Sequence, residues 1–361
     1  MGQTYFFAGG GNTTEKKKGG KGMAQKRMGR QTVKLQNPPS VAAGACVVGG
    51  KEGEGPLRHW FDYISPDSYF GQKSWEKAES AMLNHCFSLC CDKAKLSPSD
   101  IDYLFAGDLL NQCTGSTFAA RDLPVPYYGI YGACSTMAEC LSLAAMALDG
   151  GYGDSACAMT SSHFCSAERQ FRLPLEYGGQ RPPTSQWTVT GAGAMILTAE
   201  GPGPYITHIT TGEILDAGVT DANNMGAAMA PAAYKTLKAH FADTGRTPED
   251  YDAIITGDLG YLGHEILTEL FQKDGVALGI CSTDCGMLIY DRAAQDVHAG
   301  GSGCGCSASV LCGHILQRMT RGDWPRVLFA ATGALLSPTS LQQGESIPGI
   351  CHAVVLDLKK E

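Results

Sequence analysis

A cysteine at a tight turn is the first candidate for chemistry in this sequence. The segment Tyr131–Thr136, YGACST, sets Cys134 between the end of a predicted strand and the start of a predicted helix. Ser135 or Thr136 can cap that helix, and the N–H groups and dipole of a helix start favour a thiolate or a bound anion. A nucleophile and a small buried residue at a strand–helix junction both remain compatible with this pattern.

Hydrogen-bond donors follow a predicted strand that ends at Thr160. Ser161, Ser162 and His163 come directly after it, at the edge of a parallel sheet where ligands gather. Ser162 and His163 can donate to a carboxylate, and a histidine also titrates near neutral pH. A loop that satisfies its own backbone groups is the alternative.

Three arginines can supply the planar fork that recognises a carboxylate through two contacts. Arg169 and Arg172 are three residues apart and share one face if the segment is helical, and Arg181 follows in a loop rich in Pro and Gly. Ion pairs with Glu168 and Glu176 that orient this loop are the alternative.

The elements that must position these side chains are built from one unit used twice. Ser97–Leu110, SPSDIDYLFAGDLL, recurs without a gap as Thr247–Gly260, TPEDYDAIITGDLG. Cys134–Thr160 aligns in the same way with Cys306–Thr332. Because self-similarity of this length is a strong fold signal, we expect two similar halves with a site where they meet.

The repeat also separates structural from binding residues at a second strand end. Asp108, Asn111 and Gln112 follow that strand, and Asp258 occupies the position of Asp108 in the second copy without either amide. We therefore interpret Asp108 as structural and the two amides as additions of the first copy.

Strands alternating with helices predict an α/β fold in which two similar parallel sheets sandwich buried helices. The predicted strands are Val41–Val48, Ile101–Ala106, Tyr127–Tyr131, Ser155–Thr160, Ile206–Ile214, Tyr251–Thr256 and Val327–Ala331. The predicted helices are Trp75–Cys91, Ser135–Leu148, Ala230–His240 and Ser307–Met319.

Composition narrows the class of protein. The chain has 361 residues and a dispersed net charge of −8, which argues against nucleic-acid binding, and no apolar run approaches a membrane span. Its 15 cysteines lie in apolar surroundings and predict a reducing cytosol rather than disulfides. Cys304-x-Cys306 and Cys281-x3-Cys285 lack the paired spacing of a zinc site, so we expect neither metal nor cofactor. Residues 1–30 are rich in Gly and Lys, and we predict a disordered tail.

The two-copy plan and the Gly-Ala-Cys-Ser turn resemble the thiolase superfamily, which includes the ketoacyl synthases. Thr160–Leu197, together with residues 106–112, 225–233 and 299–308, is similar to the stage V sporulation AD family of thiolase-fold proteins. The resemblance implies a five-layered αβαβα sandwich, with an N-terminal half over residues 31–204 and a C-terminal half over 205–361. It also implies a homodimer.

The resemblance further implies what the protein does. Members of that family bind dipicolinic acid (pyridine-2,6-dicarboxylate), free or as its calcium chelate, and serve its uptake into the developing spore. We thus expect a soluble protein at the cytoplasmic face of the forespore inner membrane that works with membrane channel proteins of the same operon. The ligand is a flat dianion, and the residues expected to bind it are Cys134, Ser135, Ser162, His163, Asn111, Arg169 and Arg172.

An acyltransferase with Cys134 as nucleophile is the alternative, and the second half of the chain argues against it. Condensing enzymes of the superfamily pair the cysteine with His and Asn, or with two His. Here Gly303-Cys304-Gly305 stands where a synthase has Gly-Asn-Ser or Gly-Asn-Thr, and Asp284 and Cys285 stand where the resemblance places the His. His352 is the histidine left to act as base, so we expect no enzymatic activity.

Overall fold

The strands carry the frame on which the cysteine turn sits. The computed structural model describes residues 25–171 and 181–360. Its strands are β1 (Thr32–Lys34), β2 (Ser40–Val48), β3 (Tyr63–Ile64), β4 (Tyr103–Gly107), β5 (Tyr127–Gly129), β6 (Ser155–Ser162), β7 (Trp187–Thr188), β8 (Gly191–Thr198), β9 (Tyr205–Thr210), β10 (Ala253–Thr256), β11 (Ser282–Asp284), β12 (Gly301–Ser302), β13 (Arg326–Ala334) and β14 (Gly349–Asp357).

The helices connect and cover these strands. They are α1 (Gly50–Gly53), α2 (Trp75–Ala94), α3 (Thr114–Ala120), α4 (Thr136–Asp149), α5 (Phe164–Phe171), α6 (Met225–Thr244), α7 (Gly260–Lys273), α8 (Cys285–Leu288), α9 (Cys304–Val310), α10 (Leu316–Thr320) and α11 (Pro338–Gln342). A π-helical turn, Leu311–Ile315, joins α9 to α10. The helix that we predicted over Ser307–Met319 begins about one turn earlier, at Cys304.

The main sheet repeats one strand order around its centre. From one edge it runs β5-β4-β6-β8-β2, and from the other β11-β10-β13-β14-β9. The two series meet where Ser40 of β2 pairs antiparallel with Tyr205 of β9. The repeated sequence blocks supply equivalent strands: β4 corresponds to β10, and β6 corresponds to β13. Within each series the two strands pair in parallel, β4 with β6 and β10 with β13. The predicted division of the chain at residues 204 and 205 stays a prediction.

The expectation of purely parallel sheets is wrong. β8 runs antiparallel to both β2 and β6, and β14 runs antiparallel to both β9 and β13. Neither of these two strands was predicted. β13 and β14 are neighbours in the sheet and in the sequence, and the segment that joins them contains α11.

The helices and sheets stack in five layers. Helix α4 packs against β4 and β6 on one side and against β13 and β14 on the other, which makes it a middle-layer helix. Helix α2 covers the outer face of the first strand series, and α6 covers that of the second. The predicted thiolase-like αβαβα sandwich is thus confirmed, and the start of α4 lies between the two halves.

Residues 25–30, the last part of the predicted tail, contact the folded chain. Residues 1–24 lie outside the described residues. Within residues 25–30, which we also assigned to the tail, Lys26 forms an ion pair of 2.6 Å with Asp149 at the end of α4. The backbone N–H of Arg30 donates to Asp243 on α6 over 3.2 Å. These buried or half-buried acceptors anchor the segment.

Candidate functional site

Cys134 lies on a constrained turn at the centre of the molecule. Ala133 adopts the left-handed conformation, with φ of 51°, which is rare for a residue with a Cβ and often marks a functional turn. The Ser135 hydroxyl donates to Gly132 O over 2.7 Å, and the Thr136 hydroxyl to Ala133 O over 2.6 Å. Ser135 therefore holds the turn, whereas the sequence predicts that it faces a ligand.

Asp258 is the titratable neighbour of the cysteine. The Asp258 carboxyl group lies just after the end of β10, and its charge acts on the Cys134 thiol. Burial, followed by the charge of Asp258, raises the pKa of Cys134 well above its usual range. Although a helix start favours a thiolate, burial and a carboxylate dominate here, so the thiol stays protonated at neutral pH.

Two other groups fix the Asp258 carboxylate. Gly303 N–H donates to Oδ2 over 2.9 Å, and the Thr332 hydroxyl donates to Oδ1 over 2.9 Å. Burial raises the pKa of Asp258 to about 7, although these donors and the thiol favour its charged form. A carboxylate therefore stands beside the cysteine in place of a histidine.

Asp284, which stands where the resemblance places the His, is engaged by the hydroxyl and backbone groups around it. Its carboxylate accepts from the Thr256 hydroxyl over 2.7 Å and from Leu259 N–H over 2.8 Å. It also caps helix α8, where Met287 N–H donates to it. Asp284 thus ties three chain segments together.

A pocket opens in front of Cys134. Its free volume is about 40 Å³, which is smaller than the roughly 300–1,000 Å³ of typical small-ligand sites. Much of its lining is apolar or aromatic: Leu109, Tyr131, Phe171, Met225 and Leu336. Glu168, Thr188 and Ser302 add polar groups, and the Thr188 hydroxyl donates to Glu168 over 2.7 Å. The described lining contains no lysine or arginine.

Ser162 and His163 do not face this pocket. The Ser162 hydroxyl donates to Val189 O over 2.7 Å and accepts from Gly305 N–H over 3.2 Å. His163 Nε2 donates to Ser68 O over 2.8 Å, and burial lowers its pKa. Both side chains satisfy backbone groups, which is the alternative that the sequence left open.

Helix α5 separates the remaining predicted residues from the cysteine. Ala167, Glu168 and Phe171 face the pocket, whereas Arg169 and Asn111 line an open depression on the other side of the helix. Arg169 pairs there with Glu76 and lies over the Trp75 ring at 5.3 Å. Arg172 falls outside the described residues. Arg181 stacks on Trp187 at 4.7 Å and pairs with Asp296.

His352 is not placed to act as a base for Cys134. Its Nδ1 accepts from Gly212 N–H over 3.2 Å, and burial lowers its pKa to about 4. It does not line the pocket. The acyltransferase hypothesis therefore loses the histidine that we assigned to it.

Asp258, whose charge acts on the cysteine, has a signal in the sequence. Asp258 recurs at the position of Asp108 in the repeat, and we interpreted that position as structural in both copies. Tyr131 and Glu168 were quoted only as neighbours of other residues, yet both line the pocket. Within the described chain, no helix has the length and apolarity to cross a bilayer, and no cluster of three His, Cys, Asp or Glu side chains could hold a metal ion.

Comparisons with known proteins agree on family and fold. The family model described as Stage V sporulation protein AD matches residues 29–357. Stage V sporulation protein AD of Bacillus subtilis (strain 168) is 46% identical over 332 residues, which cover 92% of this chain and 98% of that protein.

Solved structures of condensing enzymes share the fold at low identity. For 3-oxoacyl-[acyl-carrier-protein] synthase III from Aquifex aeolicus VF5, the TM-score is 0.54 at 11% identity, covering 88% of this chain and 99% of that one. For a variant of OleA from Xanthomonas campestris, it is 0.58 at 15% identity, covering 90% and 98%.

Proposed function

The chain belongs to the stage V sporulation protein AD family, and from that premise we propose that it binds dipicolinic acid for uptake into the developing spore. It is a sporulation protein with a thiolase-like fold. The proposal places the ligand in the pocket at Cys134, where the two halves of the molecule meet. The identity of the ligand is inferred from the family resemblance, and the lining of the pocket supports it.

The protonation state of the Cys134 thiol favours binding over catalysis. An acyl transfer needs a thiolate, a base to receive its proton and donors for the developing oxyanion. Here Asp258 and burial keep the proton on the thiol, and His352 is engaged elsewhere. A protonated thiol is a poor nucleophile but a serviceable hydrogen-bond donor.

The lining supports an aromatic ligand with polar ends. We place the pyridine ring against the apolar side chains of the lining, such as Leu109, Phe171 and Met225. The thiol of Cys134 and the hydroxyl groups of Tyr131 and Ser302 can then donate to carboxylate oxygens. Glu168 at the wall is compatible with a ligand that arrives as its calcium chelate, because carboxylate oxygens are ligands that calcium prefers.

The proposal includes partners and a location. The protein acts at the cytoplasmic face of the forespore inner membrane with membrane channel proteins of the same operon, and it works as a homodimer. The free edge strand β5 supports self-association, since Tyr128 is 55% exposed there and stacks on Phe105 at 5.2 Å. Sedimentation of the purified protein at micromolar concentration tests the dimer.

Calorimetry with dipicolinate tests the proposed ligand. We expect one ligand per chain and an affinity at least about fivefold higher than for pyridine-2-carboxylate, because losing one carboxylate leaves buried donors unpaired at about 1–3 kcal/mol. No binding of dipicolinate, or equal affinity for the monoacid, contradicts the proposal.

Acyl transfer remains a second candidate because the cysteine occupies a constrained turn in a fold shared with condensing enzymes. Incubation with acetyl-coenzyme A followed by mass spectrometry tests it. We expect no acyl group on Cys134; stoichiometric acylation that Cys134→Ala removes would establish the transferase instead.

A further inference from the structure

Two acidic side chains are enclosed together between helices α2 and α3. Glu79 on α2 and Asp108 just after β4 are both fully buried. Both carboxyl carbons lie 3.2 Å from the position that a Cβ would take on Gly115 of α3, so the two groups are neighbours. Two negative charges this close in a buried place repel strongly, and one of the two acids therefore keeps a proton.

The hydrogen-bond partners differ between the two acids. Asp108 accepts from two backbone N–H groups of the chain that follows it, over 2.8 and 2.7 Å. A backbone N–H can only donate, so these partners favour a carboxylate. Glu79 has hydroxyl partners instead: Ser161 Oγ lies 3.0 Å from its Oε1, and Ser166 Oγ lies 2.7 Å from its Oε2. Because a hydroxyl can accept as well as donate, Glu79 is the acid that can hold the proton.

The hydroxyl of Ser166 shows which oxygen carries the proton. This hydroxyl has one hydrogen, yet two oxygens lie within its reach, Glu79 Oε2 at 2.7 Å and His163 O at 3.1 Å. Both contacts are full hydrogen bonds only if Glu79 Oε2 donates to Ser166 and Ser166 donates to His163 O. Burial and the charge of Asp108 act in the same direction and raise the pKa of Glu79 to about 8.

Within the described chain, no cation is paired with Glu79. On α2 itself, the charge of Glu76 opposes ionisation of Glu79, and Arg169 of α5 pairs with Glu76 at the surface. Cys304 of α9 is a buried thiol whose pKa is raised. The other elements that pack against α2 are α3, β2, β6 and β8, and none of these four contains an acidic or basic residue. A proton is therefore what neutralises Glu79.

The hydrogen bonds of Glu79 lead to one wall of the pocket. Ser166 lies in the first turn of α5, and the next residues, Ala167 and Glu168, line the pocket. His163 O, the acceptor of the Ser166 hydroxyl, also accepts from Ala167 N–H over 3.0 Å. The chain of bonds from Glu79 through Ser166 thus ends at the carbonyl oxygen where α5 begins.

We propose that Glu79 is a positioning residue for the ligand pocket: as a neutral acid it donates through Ser166 to the start of α5 and holds that wall in place. This role rests on the proposed function, since dipicolinate is the ligand considered. When Glu79 loses its proton, it takes the Ser166 hydroxyl as donor, the bond to His163 O is lost, and two carboxylates repel each other between α2 and α3. The wall then shifts, and the ligand binds less tightly.

Calorimetry across a pH series measures this link. Dipicolinate is titrated into the protein at pH 7, 8, 9 and 9.5, a range in which the ligand stays a dianion. The form that binds well carries the proton, so affinity is full below the pKa of Glu79, about 8, and is lost as the pH rises through it. We expect the affinity at pH 9.5 to be about tenfold or more below that at pH 7, as linkage to a single proton requires.

Glu79→Gln tests whether Glu79 is the group that titrates. The glutamine NH2 can donate to Ser166 while its oxygen accepts from Ser161, as in neutral Glu79, but the amide does not ionise. We expect an affinity at pH 7 close to that of the unmodified protein and no fall up to pH 9.5. Asp92→Asn is the matched control, because Asp92 is an exposed carboxylate on the same helix. It should keep the full pH dependence.

Infrared difference spectra detect the proton without a ligand. At pH 7 the unmodified protein should show a carboxylic C=O band that Glu79→Gln lacks. The band should disappear toward pH 9.5 as Glu79 ionises.

The outcomes separate the two proposals. Absence of dipicolinate binding at every pH overturns the proposed function, and the role of Glu79 in it. Equal affinity at pH 7 and pH 9.5, a pH dependence that persists in Glu79→Gln, or the lack of a carboxylic band from Glu79 overturns the role of Glu79 alone. Should Glu79→Gln fail to fold, Ser166→Ala cuts the same chain of bonds and should bind weakly at both pH values; unchanged affinity in that variant also overturns the role.

Discussion

The two copies of the cysteine turn have the same sequence signal and different surroundings. Cys134 precedes its helix: α4 begins two residues after it, and the side chain reaches the pocket. Cys306 lies inside its helix: α9 begins two residues before it, and the side chain is fully buried. Starting the helix one turn earlier removes the second cysteine from any site.

The strand-end aspartates diverge in the same way. Asp108 accepts from Leu110 N–H over 2.8 Å and from the N–H and hydroxyl of Ser116 over 2.7 Å each, so donors of the following loop and of helix α3 take its acceptor positions. Asp258 instead accepts from Gly303 N–H and the Thr332 hydroxyl, and its charge adds to burial in raising the pKa of the Cys134 thiol. A duplicated residue thus holds the turn in one half and tunes the thiol in the other.

The largest expected effect on binding comes from replacing Cys134 by leucine, with the same replacement at Cys306 for comparison. We expect Cys134→Leu to lower dipicolinate affinity at least a thousandfold, beyond detection, because the side chain occupies the pocket, with little change in melting temperature. Cys306→Leu should leave the affinity of the folded protein unchanged but cost about 1–3 kcal/mol of stability through overpacking. Calorimetry and thermal unfolding measure the two effects; similar affinity losses would erase the distinction.

The pH dependence of stability tests the aspartate contrast. The folded pKa of Asp258, about 7, exceeds the unfolded value of about 3.9. The folded protein therefore binds more protons between these values, and stability falls as pH rises from 4 to 7. We expect Asp258→Asn to remove about 2 kcal/mol of the fall between pH 5 and pH 8.

Urea unfolding at several pH values checks this slope. The exposed Asp92→Asn is the control and should leave the slope unchanged. An unaltered slope in Asp258→Asn would mean that Asp258 is ionised in the folded protein throughout this range.

What the sequence could predict followed from local patterns. The repeat located β4 and β10, and the alternation of strands and helices gave the layered α/β fold. Strands β8 and β14 were missed because a parallel topology was inferred from helical crossovers, whereas these strands lie beside β6 and β13 as antiparallel partners. Register and direction depend on connections whose course the sequence pattern leaves open.

The site was predictable only around its cysteine. The turn at Cys134 has a sequence signature, but the direction of a side chain on α5 depends on where the helix packs. Arg169 and Glu168 are adjacent in sequence and face opposite sides of that helix. The sequence predicts that the Ser162 hydroxyl and the His163 imidazole bind a ligand. In the structure both donate to backbone carbonyl oxygens instead.

We expect a smaller loss of affinity when a single hydrogen-bond donor of the pocket is removed. Tyr131 lines the pocket and is 44% exposed. We expect Tyr131→Phe to keep the ring and lose the hydroxyl, lowering dipicolinate affinity about fivefold, since a hydrogen bond to a ligand is worth about 1 kcal/mol. Tyr128→Phe on the edge strand is the matched control and should bind as the unmodified protein does; equal losses in both would remove Tyr131 from the site.

The smallest expected effect concerns the other face of α5. Arg169 pairs with Glu76 at the surface, and its side chain is 48% exposed. Such a pair contributes at most about 1 kcal/mol to stability, and it points away from the cysteine. We therefore expect Arg169→Ala and Arg169→Lys to change dipicolinate affinity less than about twofold. A tenfold loss in Arg169→Ala that Arg169→Lys does not restore would show that a carboxylate reaches the guanidinium fork, and the ligand would then lie in the depression beside Asn111 rather than at Cys134.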